Sequence, residues 1–121
     1  MADKKIRTLN PEGVKKILEA LREDRTALGP KLGYAAYNAR VPAAILANLM
    51  PTSEQSMYRW YYGVEPRRCF RKKIKALTEI LQFAVKSGHL PVPGTHADVR
   101  EAITQAATAL QAQRRTEAVA E

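Results

Sequence analysis

The sequence predicts an all-α protein, and three observations carry that reading. Apolar residues recur at i, i+3, i+4 and i+7 in several windows, and residues that start and stop helices bracket those windows. No alternating Val, Ile, Thr or Tyr run lies between turns as a strand would, and no internal repeat is visible. The 121 residues suit one domain, and 45% hydrophobic with 26% charged residues is an ordinary globular composition.

The elements follow in order. Asn10-Pro11-Glu12 reads as a helix start, with Asn10 as the N-cap, proline at the first helical position and an acid in the first turn. Behind it Val14, Ile17, Leu18 and Leu21 form one apolar stripe, and the helix is expected to end near Arg25. Gly29-Pro30 opens a second, weaker pattern of Leu32, Ala35, Ala36 and Tyr37, lowered further by Gly33. Val41-Pro42 separates it from a short helix whose Ile45, Leu46, Leu49 and Met50 make a compact apolar face, closed by Pro51. Thr52-Ser53-Glu54-Gln55 reads as a capping box, with the Thr52 hydroxyl accepting from the backbone N–H of Gln55. A helix beginning at Ser53 then runs to Tyr62, with Gly63 past its end.

From Cys69 or Phe70 to Lys86, Ile74, Leu77, Leu81 and Ala84 or Val85 recur at helical spacing, and Ser87-Gly88 ends the run. Residues 89–94, with two prolines, read as a stiff linker between a first unit, 1–88, and a C-terminal helix in 95–121 with a frayed tail. Thr95-His96-Ala97-Asp98 opens that helix with a second capping box. Its Val99, Ile103, Ala106 and Leu110 form a narrow seam suited to one partner helix.

Composition excludes several classes. The longest apolar stretch, Val41 to Met50, is far short of the roughly 20 residues that span a bilayer, and no apolar run follows the N-terminal charges as in a secretory leader. A cytoplasmic protein is therefore expected, without a membrane partner, and the lone Cys69 agrees. His89 and His96 have no Cys or second carboxylate at ligand spacing, so no metal and no cofactor are expected. No phosphate loop, nucleophile elbow or paired carboxylate suggests an enzyme.

The charge is concentrated. Net charge is +8, yet Arg59 to Lys75 alone holds seven cations (Arg59, Arg67, Arg68, Arg71, Lys72, Lys73, Lys75) against Glu65. Such local excess suits a polyanion.

The stretch from Leu46-Ala47 through Ser53, Ser56, Met57, Trp60, Gly63 and Pro66 resembles the helix-turn-helix of the phage repressor and Cro superfamily, whose second helix reads approximately Ser-x-x-Ser-Ile-x-x-Trp-x-x-Gly. The resemblance covers roughly residues 42–87. It implies a compact helical bundle with an added N-terminal helix and a C-terminal helix after the Pro/Gly linker. The implied function is sequence-specific binding of double-stranded DNA by a transcriptional regulator of a phage or mobile element, acting in a bacterial cell. Independently of the family, Ala47 is small enough for a close helix crossing, and Met57 with Trp60 gives the second helix a face to bury.

Carried over residue by residue, the resemblance makes Glu54, Gln55 and Arg59 base readers. Gln bonds adenine, Glu accepts from cytosine and Arg pairs with guanine, each contact giving about 1–3 kcal/mol of discrimination. It makes Ser53, Ser56, Tyr58, Arg67, Arg68, Arg71 and Lys72 phosphate contacts. It also implies a homodimer, for which the seam Val99, Ile103, Ala106, Leu110 is the expected surface. Pro51 stands where the family commonly has glycine, and a ring holding φ at about −65° is expected to exclude the left-handed turn.

Two other readings remain. A helix-turn-helix with an oligomerising C-terminal helix also suits a phage DNA-packaging adaptor of the small-terminase kind. The aromatic run Tyr58 to Tyr62 suits an RNA or single-strand binder that stacks bases, although such platforms usually lie on sheets.

Overall fold

In a computed structural model that describes residues 11–120, with side chains as far as Glu117, the chain is all-helical. Six helices follow one another: α1 (Pro11–Glu23), α2 (Leu28–Ala39), α3 (Ala43–Leu49), α4 (Glu54–Tyr61), α5 (Arg68–Ser87) and α6 (His96–Ala120). The expected cap Asn10 lies outside the described residues. Helix α2 is central, packing on α1, α4 and α5, while α3 packs on α4 and α6 chiefly on α5.

Helix α1 stops at Glu23, earlier than expected, because Asp24 turns the chain with its own side chain. Asp24 Oδ1 accepts from the Thr26 hydroxyl at 2.6 Å and from the Thr26 N–H at 2.9 Å. Such local bonds compete with the helix, and they hold the Asp24 carboxyl below its usual range.

One core runs from α1 to α6: Ile17, Leu32, Ile45, Leu46, Met50, Met57, Tyr61, Ile74, Leu81 and Val99 are its largest fully buried side chains. Three residues assigned to apolar faces by their spacing are instead exposed: Leu18 at 43%, Tyr37 at 40% and Leu49 at 43%. Leu18 and Tyr37 adjoin the buried Ile17 and Ala36 in sequence, and about 100° per residue turns them off the core face. Where the α5 pattern left Ala84 or Val85 open, Ala84 is buried and Val85 is exposed.

Gly33, which weakens α2 by propensity, is a packing device. A Cβ at Gly29 would lie 2.2 Å from the Trp60 carbonyl oxygen, and one at Gly33 would lie 2.8 Å from Tyr61 Cγ. The two glycines, one turn apart, let α4 approach the α2 backbone.

The α3–α4 turn departs from expectation. Pro51 has a φ of 25°, within the positive region its ring should exclude. The Thr52 N–H bonds to the Ala47 carbonyl at 2.9 Å, the outer bond of a Schellman closure, which places the intervening residue where glycine is usual. Lacking an N–H, Pro51 cannot make the inner bond of that motif.

The C-terminal part is joined to the core. Leu90, within the expected linker, is buried and its N–H bonds to the Ala84 carbonyl at 3.2 Å; the Leu90–Pro91 peptide bond is cis. Thr95 and Asp98 form the expected capping box, with Thr95 N–H to Asp98 Oδ2 at 2.8 Å and Asp98 N–H to Thr95 Oγ1 at 3.4 Å. The seam expected to pair two copies is filled within the chain: Val99, Ile103 and Ala106 are buried, Leu110 is half-buried, and α5 is the partner helix. Arg114 and Glu79 fasten the far end of that contact at 2.7 Å. A narrow seam specifies one partner helix, and here the same chain supplies it.

Candidate nucleic-acid interface

Helix α4 is held by Met57, Trp60 and Tyr61, all buried. Trp60 packs on Phe70 with ring centroids 5.1 Å apart, which fixes the first turn of α5 against α4. The N-cap is Ser53 rather than Thr52: Ser53 Oγ accepts from the Ser56 N–H at 3.1 Å and donates to Ser56 Oγ at 2.9 Å. The cap sits one residue later than the sequence pattern placed it, with Ser53 the last extended residue before α4.

Glu54, Gln55 and Arg59 are exposed, with Gln55 and Arg59 one turn apart on the outer ridge of α4. Ser56 and Tyr58 are half-buried. Tyr58 is engaged on both sides, edge-on to Tyr61 at 5.9 Å and stacked on Tyr62 at 6.2 Å. The Lys16 ammonium lies 5.2 Å from the centre of the Tyr62 ring. These tyrosines therefore stack on one another and on α1, and Tyr62 alone of them is exposed.

The basic run is ordered by its helix. Arg68, Arg71, Lys72 and Lys75 recur at i, i+3, i+4 and i+7, one exposed ridge that runs beside the buried face of Ile74, Thr78, Leu81 and Ala84. Lys75 was not among the sequence-derived contacts, although its spacing from Arg68 signals it. Arg67 caps α5 without a side-chain bond to the helix. Arg71 is not free: it is ion-paired with Glu65, across exposed surface.

A cleft of about 430 Å³ lies where α4 meets the start of α5, lined by Thr52, Ser56, Arg59, Trp60, Val64, Glu65, Arg67 and Phe70. It brings together Ser56, Arg59 and Arg67 from the sequence-derived set and adds Thr52. Glu54 and Gln55 stand outside it. Among the described residues no group of three or more His, Cys, Asp or Glu is placed to hold a metal ion. His89 instead bonds Ser87 at 2.6 Å and stacks on Phe83. Among the described residues no helix is long and apolar enough to cross a membrane.

The chain matches no protein-family model, no curated protein and no solved structure.

Proposed function

We propose that the protein binds double-stranded DNA, with α3 and α4 as its helix-turn-helix. Helix α4 enters the major groove and the basic ridge of α5 lies along the adjoining phosphates. In this reading the protein is a sequence-specific transcriptional regulator of the phage-repressor type, acting on DNA in the cytoplasm. The observation that carries it is the exposed run of cations that opens α5, tied to the capped, polar-faced α4 by the packing of Phe70 on Trp60. Cations on a rigid helix neutralise phosphates, which supplies affinity, and Arg68, Lys72 and Lys75 take that role while Arg71 is paired with Glu65; the exposed Glu54 and Gln55 of α4 then read base edges. A dimer would need a surface other than the seam on α6.

Selection of bound sites from random duplex DNA tests this reading. A short, reproducible sequence should emerge, and Arg68→Ala should weaken binding to every duplex alike and flatten the salt slope by about 1. Recovery of no preferred sequence would remove the regulator reading.

A further inference from the structure

The cleft between α4 and α5 collects polar groups that the base-reading scheme leaves unexplained. Its rim holds two exposed guanidinium groups, Arg59 and Arg67, and two hydroxyl-bearing residues, Thr52 and Ser56. The Ser56 hydroxyl accepts from Ser53, which leaves its own proton to donate outward. Among the described residues neither Arg59 nor Arg67 forms an ion pair. The one acid at the rim, Glu65, is neutralised by Arg71. Val64, Phe70 and the edge of Trp60 make the apolar part of the lining.

We propose that this cleft seats one backbone phosphodiester of the bound duplex, clamped by Arg59 and Arg67 and bonded by Ser56, with the sugar against Val64 and Phe70. Arg59 is then a backbone contact, not a guanine reader, and Arg71 serves the site by neutralising Glu65. Sequence is read by Gln55 and Glu54 alone, so the preferred sites carry adenine or cytosine opposite α4. Charge complementarity selects the occupant. Two exposed guanidinium groups lining one cleft with a hydroxyl donor match the oxygens of a phosphate, whereas a single Arg reading guanine needs neither Arg67 nor Ser56.

The proposal rests on duplex DNA binding, and its test separates the two claims. The full-length protein and its Arg59→Ala, Arg67→Ala, Arg59→Ala/Arg67→Ala and Gln55→Ala variants are measured against the selected site and a scrambled duplex of equal length. Circular dichroism establishes that each variant is folded; all three positions are exposed, so melting should not change. Arg59→Ala should lose about tenfold on both duplexes alike, since a hydrogen-bonded charge contributes that much or more. The double variant should lose less than the product of the single losses, because both side chains hold one phosphate. Gln55→Ala should change the selected sequence. Arg59→Ala that relaxes one base position and spares the scrambled duplex overturns the clamp while leaving duplex binding intact, as do single losses that simply multiply. Failure of the unsubstituted protein to bind any duplex overturns the underlying reading, and with it the clamp.

Discussion

The α-carbon of Gly29 faces the carbonyl of Trp60 so closely that an added Cβ would lie 2.2 Å from that oxygen. This contact sets the distance between α2 and α4, and hence how far α4 stands from the rest of the fold. Gly29→Ala should gain up to about 1 kcal/mol of helix propensity and lose more through overpacking, about 1–3 kcal/mol or above. Thermal denaturation checks the sign: the variant should melt lower, and an unchanged or raised Tm would mean that the helices are not in this contact.

Pro51 offers the opposite sign. Its positive φ is strained, a condition costing on the order of 1–3 kcal/mol, and it lacks the N–H that would complete the turn. Pro51→Gly relieves both at an entropic cost of about 1 kcal/mol. The variant should melt a few degrees higher. A lower Tm would show that the ring sits comfortably in the turn.

Tyr61 carries a hydroxyl that is buried and, among the described residues, has no hydrogen-bond partner, and burial pushes its pKa well above the usual value. A phenol whose folded pKa is raised contributes stability that is complete below about pH 10, the unfolded value, and is lost as the pH climbs beyond it. Tyr61→Phe should therefore match or exceed the parent at neutral pH, by about 1 kcal/mol, and lose less stability between pH 10 and pH 11. Urea titrations at both ends of the range read the difference, and a destabilised variant at neutral pH would mean that the hydroxyl is bonded.

Ile103 tests what α6 is for. With its side chain buried in the α5 contact, Ile103→Ala should destabilise the folded chain by about 2–5 kcal/mol. The mass measured by light scattering should not change under folding conditions. Loss of an oligomer with no loss of monomer stability would restore the seam to a role between chains.

Glu65→Gln frees Arg71 and removes the one acid beside the cleft. Affinity for any duplex should rise a few-fold, as befits an exposed pair whose Coulomb energy is modest, and the rise should shrink at high salt. Affinity that is unchanged at low salt would place this edge of α5 away from the DNA.

Much of this architecture is legible in the sequence, for identifiable reasons. The order of helices follows from Pro and Gly punctuation, and Met57 with Trp60 marked the buried face of α4 through their spacing alone. Thr95 and Asp98 announced the start of α6. What the sequence conceals is which surface meets which. Val99, Ile103 and Ala106 look the same whether the partner helix is α5 or a second copy, and nothing local distinguishes the two. Gly29 reads as part of a helix start and Gly33 as a helix weakener until α4 is seen against them. Arg71 reads as one more cation in a run, because the turn that brings Glu65 to it is not a pattern of spacing. The ridge Arg68, Arg71, Lys72, Lys75 was present in the numbering but is meaningful only once α5 starts at Arg68.

Helix α4 and the basic ridge of α5 are proposed to form the surface for duplex DNA. The most direct test is the affinity of the full-length protein for a duplex and for a single strand of equal length, measured across a salt series. Binding should be tighter to the duplex at every salt concentration, with a log–log slope set by several phosphates that flattens by about 1 in Arg68→Ala. Preference for the single strand at equal salt, or binding that ignores salt, would contradict it.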